Sequence, residues 1–204
     1  MPPEVWQLLT STEGAAQDRA RRIGARLVGV EPAQGEDDYI ESFRRMVGTD
    51  EWPAVDYRAS TVDCDTGETV LLSAADAADG VGLVRAVAAS CAIPGYFPTV
   101  TAAGRRCTDG PRQPFIRSLI AEKGLDAVLF VGPLAALPGA LALTGDPDLD
   151  QLEAEGFPVA RVTGGAALTE AAKDLMDPAA RAKAVEAGVA DGRAAAPALL
   201  ALVG

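Results

Sequence analysis

Asp109 and Gly110 are the residues of this sequence best placed to do chemistry, because they directly follow a predicted strand. A carboxylate at the carboxyl end of a strand, beside a flexible glycine, can be aimed at a nucleophile. The 204 residues include no histidine, which excludes Ser-His-Asp catalysis and histidine-ligated metal sites. Acid-base chemistry must therefore use carboxylates, lysine, tyrosine or cysteine. Taken alone, however, an Asp-Gly pair after a strand predicts only a turn.

Ser90 and Cys91 are the candidate nucleophiles. Ser90 lies in the run AASCA (88–92), a small-residue analogue of the G-x-S-x-G elbow in which alanine replaces both glycines. The residues before it predict a helix, whereas an elbow requires a strand there. Cys91 has no histidine that could hold its thiolate. An ordinary helical serine is therefore the favoured interpretation, and a nucleophilic Ser90 in a rebuilt site is the weaker alternative.

Two further patterns suggest a ligand only superficially. Residues 146–150 read D-P-D-L-D, but the glycine and glutamate that a calcium loop needs further on are missing. Asp146 is better explained as the N-cap of a helix that begins at Pro147. Gly164 and Gly165 follow a predicted strand, but neither phosphate-binding glycine motif is present. They predict a plain strand-to-helix turn.

The elements that must position these residues alternate between strands and helices after a helical stretch of about fifty residues. The nearly continuous apolar run at 128–131 is typical of a strand covered on both faces. This pattern predicts an α/β fold. The predicted helices are 17–30, 37–47, 83–92, 115–122, 148–155 and 178–190, and the predicted strands are 55–61, 69–72, 104–108, 127–131 and 158–162.

Charge and composition indicate where the protein works. A formal net charge of −11 argues against nucleic acid as a partner, because phosphate binding needs clustered basic residues. The three cysteines form no C-x-x-C pattern, and the N-terminus lacks a basic region followed by an apolar run. Residues 127–145 carry no charge, but Gly-Pro and Pro-Gly pairs divide them into a strand and an apolar loop. We therefore expect a cytoplasmic protein.

Three motifs occur in an order typical of one enzyme family. They are STVDCDTGETV (60–70), AVAASCAIPGYFPTV (86–100) and GRRCTDG (104–110). The series resembles the central signature of the patatin-like phospholipases: a strand ending in x-x-D-x-x-T-G-E, a helix carrying A-S-x-A-x-P-G-x-F-P, and a strand ending in D-G-[GA]. The resemblance is close from about residue 55 to residue 134 and looser outside that range.

The resemblance implies a fold and a site. The fold would be part of a three-layer α/β/α sandwich with a mostly parallel sheet, forming one domain over 1–204. Its parts would be a helical segment (1–53), a sheet core with the catalytic aspartate (54–134), and C-terminal helices and a strand (135–204). Patatin-like hydrolases use a Ser-Asp dyad and need neither histidine nor cofactor nor metal. Asp109 matches the dyad base and Gly110 its neighbour, whereas Pro111 stands where the family has glycine or alanine.

The serine half of that dyad is missing from the sequence. Neither a G-x-S-x-G elbow nor a glycine-rich oxyanion loop occurs, and in the family both lie upstream of the matched region. We therefore expect an N-terminally incomplete lipid acyl hydrolase that is inactive alone, with an acyl-ester substrate and transient contact with a membrane surface. An exposed sheet edge would favour homo-oligomers. The alternative is a non-catalytic binding or structural protein on a degenerate patatin scaffold. The apolar loop at 134–143 could contact an acyl chain or pack into the core.

Overall fold

The computed structural model describes residues 1–11, 13–110, 116–133, 147–172 and 178–203. The chain divides into two compact units, residues 1–113 and residues 114–204. The division differs from the segment boundaries predicted after residues 53 and 134. The single patatin-like domain expected from the sequence stays a prediction.

The first unit begins with three helices and continues with strands arranged around a fourth helix. The predicted hairpin and the predicted helices near 17, 37 and 83 are confirmed, and the first helix lies in the segment expected to be helical, although no bounds were predicted for it. The elements are α1 (Pro3–Thr10), α2 (Ala16–Arg26), α3 (Glu36–Val47), β1 (Ala59–Asp63), β2 (Thr69–Leu72), a 3-10 helix (Ala74–Asp79), α4 (Leu83–Ser90), β3 (Val100–Ala102) and β4 (Arg105–Asp109).

These four strands form one sheet in the order β2-β1-β4-β3. Every neighbouring pair in it is antiparallel. The turn between β3 and β4 consists of Ala103 and Gly104, whose φ angles of 47° and 70° are both positive, as a two-residue type I′ hairpin requires. β1 lies inside the sheet between β2 and β4, and this places the first and third motifs side by side.

The core of the first unit is built from small side chains. Ala86, Ala88 and Ala89 of α4 are completely buried, together with Val84. Because these side chains are small, α4 can pack closely against the sheet. Tyr39 of α3 joins the same core and supplies one of its few aromatic rings. Alanine and valine supply most of the buried residues in this core.

The second unit contains a two-stranded parallel sheet. Its elements are α5 (Ile116–Lys123), β5 (Val128–Gly132), α6 (Pro147–Ala154), β6 (Val159–Thr163), α7 (Ala166–Ala171) and α8 (Ala180–Val203). β5 and β6 pair in parallel with Val128 opposite Val159. α8 continues beyond the predicted end at residue 190, through Gly192 and Pro197.

The mixed α/β class is confirmed, but the predicted mostly parallel sheet is not what the described residues form. The larger sheet is antiparallel throughout, and only the β5–β6 pair is parallel. The physical reason is the length of the connections. Short turns join β1 to β2 and β3 to β4, and such turns can join only antiparallel neighbours, whereas α6 lies between β5 and β6 and permits a parallel pair.

Candidate active site around Asp109

Asp109 is the last residue of β4, where its side chain is half-buried at the end of the sheet. It lies opposite Thr61 of β1. Gly110 follows with a φ of 69°, a left-handed conformation that glycine adopts without strain. The chain therefore leaves the sheet immediately after the carboxylate. Pro111 lies outside the described residues.

The backbone of Asp109 is attached to the segment that follows α4. The Asp109 amide donates a hydrogen bond of 2.9 Å to the carbonyl of Ala92. The hydroxyl of Thr108, on the preceding residue of β4, donates to the same carbonyl at 2.6 Å. The Ala92 oxygen thus accepts two hydrogen bonds from the end of β4, which couples the second motif to the third.

A tight turn after Ala92 explains the P-G-x-F part of the second motif. Pro94 and Gly95 occupy its centre, and the amide of Tyr96 donates to the carbonyl of Ile93 at 3.1 Å. Proline followed by a glycine with a φ of 76° has the signature of a type II turn. The turn directs Phe97 back into the unit, where its ring stacks on Tyr39 with a centroid distance of 5.0 Å.

The D-x-x-T-G-E motif builds the turn between β1 and β2. The Asp63 carboxylate is almost fully buried and accepts hydrogen bonds from the amides of Asp65 (2.8 Å) and Thr66 (3.2 Å). Arg105 of β4 donates to it at 3.0 Å. Burial would raise the pKa of Asp63, but these three donors outweigh it and hold the pKa below its usual value. Asp63 is therefore a structural carboxylate.

Gly67 of this turn faces α2 at close range. Its φ is 73°, and a Cβ atom added there would collide with the backbone of Gln17 and Arg21. Gly24 of α2 faces the hairpin in the same way, since a Cβ there would overlap the carbonyl of Cys64. The two glycines let the hairpin and α2 approach each other closely.

The side chains around Asp109 are weakly acidic groups. Cys91 is exposed, and partial desolvation raises the pKa of its thiol, which the Asp109 carboxylate raises further. Burial also raises the pKa of Tyr39, and Cys91 and Asp109 add to this effect. Desolvation, with a smaller contribution from Cys91, raises the pKa of Tyr57. At neutral pH these three groups are therefore protonated.

Ser90 does not lie on an elbow. It is the last residue of α4 and half-buried, so a helix precedes it where an elbow needs a strand. Its hydroxyl forms no hydrogen bond with the Asp109 carboxylate in the described part of the chain. The helical interpretation of Ser90 is confirmed. The partial desolvation that raises the pKa of the Cys91 thiol likewise disfavours a reactive thiolate.

The two weak ligand patterns have structural explanations. α6 begins at Pro147, as predicted, and Asp150 pairs with Arg161 at 2.8 Å, while Asp146 lies outside the described residues. Gly164 and Gly165 connect β6 to α7 as a plain turn. The amide of Gly165 donates to the carboxylate of Asp191 at 2.9 Å, and that negative charge opposes binding of a phosphate there.

Residues that the sequence did not identify hold this site together. The hydroxyls of Tyr39 and Thr108 donate hydrogen bonds to the two carbonyls that follow α4, those of Cys91 and Ala92 respectively. The Asp63–Arg105 pair connects β1 to β4. Asp63 stood out as part of a motif, but Tyr39 appeared only as one apolar position in a helical pattern. No local signal indicates where its hydroxyl lies.

The described residues contain no group of three or more acidic or cysteine side chains arranged to hold a metal ion. Within the same ranges, no helix is long and apolar enough to cross a membrane. The strand predicted at 127–131 corresponds to β5, whereas the apolar loop at 134–143 lies outside the described residues.

Comparison of the chain with protein-family models, curated proteins and solved structures finds no match of any of the three kinds. The resemblance to patatin-like phospholipases therefore rests on the three sequence motifs alone.

Proposed function

We propose that this chain carries the aspartate half of a Ser-Asp site for hydrolysis of carboxylic esters, on a patatin-like scaffold. One observation carries the proposal most directly: the second and third motifs converge on the Ala92 carbonyl, which holds the Asp109 backbone at the end of β4. The proposal includes a three-layer α/β/α arrangement, a lipid acyl ester as substrate, transient contact with a membrane surface in the cytoplasm, and homo-oligomers through an outer strand of the sheet.

In the proposed reaction Asp109 acts as general base. Its carboxylate takes the proton of a serine hydroxyl while the serine oxygen attacks the ester carbonyl, and the alcohol leaves with that proton. Water, deprotonated by the same carboxylate, then cleaves the acyl-serine and releases the acid. The carboxylate must lie within about 2.6–3.2 Å of the hydroxyl. The 204 residues contain no G-x-S-x-G, so the proposal requires a serine outside this sequence.

The DNA upstream of Met1 provides the first test. An in-frame glycine-rich loop followed by G-x-S-x-G supports the proposal, and the longer protein should then hydrolyse p-nitrophenyl esters. Asp109→Asn should abolish that activity. The 204-residue chain alone should hydrolyse no ester. The missing-serine argument would be wrong if this chain alone hydrolysed an ester and if Asp109→Ala abolished that activity while Ser90→Ala left it intact.

A non-catalytic binding or structural role is the second candidate. Two observations favour it: Ser90 ends a helix, and Pro111 replaces the glycine or alanine of the family motif. A stop codon directly upstream of Met1 would support this role. A fluorophosphonate probe addresses the remaining possibility of a rebuilt site, because an adduct at Ser90 would contradict both candidates.

A further inference from the structure

Tyr39 lies at the centre of a hydrogen-bonded connection between α3 and the end of β4. Its hydroxyl donates to the carbonyl of Cys91 at 2.8 Å, and Cys91 is the residue that caps α4. The last carbonyls of a helix have no partner within the helix, so a side chain that binds one of them fixes the chain where the helix ends. The next carbonyl, that of Ala92, accepts the hydrogen bonds from Thr108 and Asp109.

The Tyr39 ring has little freedom to move. The residue is 2% exposed, and its ring stacks on Phe97 and meets the edge of Phe43, each at a centroid distance of 5.0 Å. α3 itself is anchored to the sheet at its first residue, because the Glu36 carboxylate accepts from the amide of Thr101 at 2.7 Å. Glu36 also pairs with Arg85 of α4 at 3.1 Å. The donor that holds the Cys91 carbonyl therefore belongs to a rigid part of the unit.

We propose that Tyr39 is a positioning residue for Asp109: it orients the Cys91–Ala92 peptide so that the Ala92 carbonyl can hold Thr108 and Asp109. Thr108 is the second member of this connection, on the strand side. The catalytic meaning of this role rests on the proposed function, but the positioning itself can be measured without hydrolysis. Burial keeps the Tyr39 hydroxyl protonated, so it remains a donor throughout the neutral pH range.

Cys91 provides a reporter of where the Asp109 carboxylate lies. The thiol is exposed and free, and its pKa is raised by partial desolvation and by the Asp109 carboxylate. Replacing Asp109 by asparagine removes a negative charge, so the Cys91 pKa should fall and its alkylation by iodoacetamide at pH 8 should accelerate. The ratio of rates with and without Asp109→Asn measures the coupling between the two groups, read at the Cys91 peptide by mass spectrometry.

The experiment is a double-mutant cycle on the 204-residue chain. In the Tyr39→Phe background, the acceleration caused by Asp109→Asn should fall to less than half of its wild-type value, because the carboxylate is no longer held beside the thiol. Thr108→Val should have the same effect, and Thr108→Ser should restore the wild-type ratio. Tyr57→Phe is the matched control, since it removes a hydroxyl near the thiol that has no hydrogen-bond partner among the described residues.

An unchanged ratio in folded Tyr39→Phe and Thr108→Val variants would overturn the inference, because a merely structural role would lower stability and leave the coupling intact. Circular dichroism and tryptophan fluorescence establish that each variant is folded. If Tyr39→Phe fails to fold, the Thr108 pair decides the question alone. The two proposals can fail separately. If Tyr39→Phe abolishes the coupling between Asp109 and Cys91 but the longer protein hydrolyses no ester, Tyr39 still positions Asp109 and the proposed function is refuted.

Discussion

Gly67→Ala tests whether the β1–β2 hairpin must pack closely against α2 for the first unit to be stable. The variant places a side chain at a φ of 73°, which costs about 1–2 kcal/mol for any residue other than glycine. The new Cβ would also lie only 2.8 Å from the amide nitrogen of Arg21 and closer still to the carbonyl of Gln17. Moving α2 aside should cost about 1–3 kcal/mol more, as overpacking of a core does.

Gly104→Ala is the matched control. Its φ of 70° is nearly the same, but nothing lies within 4 Å of an added Cβ, so only the conformational cost remains. Gly24→Ala supplies the complementary case, because a Cβ there overlaps the Cys64 carbonyl and the glycine does not have a positive φ. The difference between Gly67→Ala and Gly104→Ala should therefore be about 2 kcal/mol, mainly from the collision.

Urea denaturation followed by tryptophan fluorescence measures this difference. Both tryptophans of the sequence, Trp6 and Trp52, lie in the first unit, and the Trp52 indole donates to the carbonyl of Val81 at 3.0 Å. With an m-value of about 2 kcal/mol per M, the Gly67→Ala midpoint should lie about 1 M below that of Gly104→Ala. Equal midpoints for the two variants would refute the packing argument and leave only backbone strain.

Three other predictions follow from the same unit. The lowered pKa of Asp63 stabilises the folded state above the carboxyl pKa of the unfolded chain, and this contribution is lost as pH falls through the lower folded-state pKa. Asp63→Asn should therefore destabilise the protein at pH 7 and weaken the loss of stability that begins below about pH 4, measured by thermal melts. An unchanged acid dependence would assign that loss to other carboxylates. The Asp50 carboxylate accepts a hydrogen bond from the Val84 amide at 2.9 Å, at the start of α4. Asp50→Ala should therefore lower the free energy of unfolding in urea by about 1 kcal/mol, and Asp50→Asn should lower it less. Equal losses of stability in the two variants would argue against helix capping by Asp50. Burial raises the pKa of the Cys64 thiol to about 12, and Cys107 is also buried, whereas Cys91 is exposed. A thiol reagent at pH 8 should therefore label Cys91 first and all three cysteines only in denaturant. Rapid labelling of Cys64 in the native protein would contradict its burial.

The types of most elements could be predicted from local patterns. Apolar residues at helical spacing predicted α2, α3 and α4, and alternation around a D-T-G turn predicted the β1–β2 hairpin. The ends were less accurate, since β1 begins at Ala59 although alternation starts at Val55. No bounds were predicted for α1, because eight residues that begin at Pro3 and follow Pro2 give a weak helical signal.

Strand direction in the larger sheet could not be predicted in this way. A strand pattern indicates which side chains face the core, but it contains no information about the partner strand or its direction. The expectation of a mostly parallel sheet came from the resemblance, whereas β1, β2, β3 and β4 pair antiparallel. β5 does belong to a parallel pair, but the expectation that it is covered on both faces is wrong, because Leu129 and Val131 are exposed.

The sequence alone limited the acid-base chemistry open to this protein and singled out Asp109 as its candidate base. Without histidine, acid-base chemistry is restricted to carboxylates, lysine, tyrosine or cysteine, and the D-G pair after a predicted strand placed Asp109 at the end of β4. Only the tertiary structure decided what holds that residue. Tyr39 and Cys91 are 52 residues apart, and Asp63 and Arg105 are 42 apart. Contacts over such separations depend on how whole elements pack, and local propensity does not specify that packing.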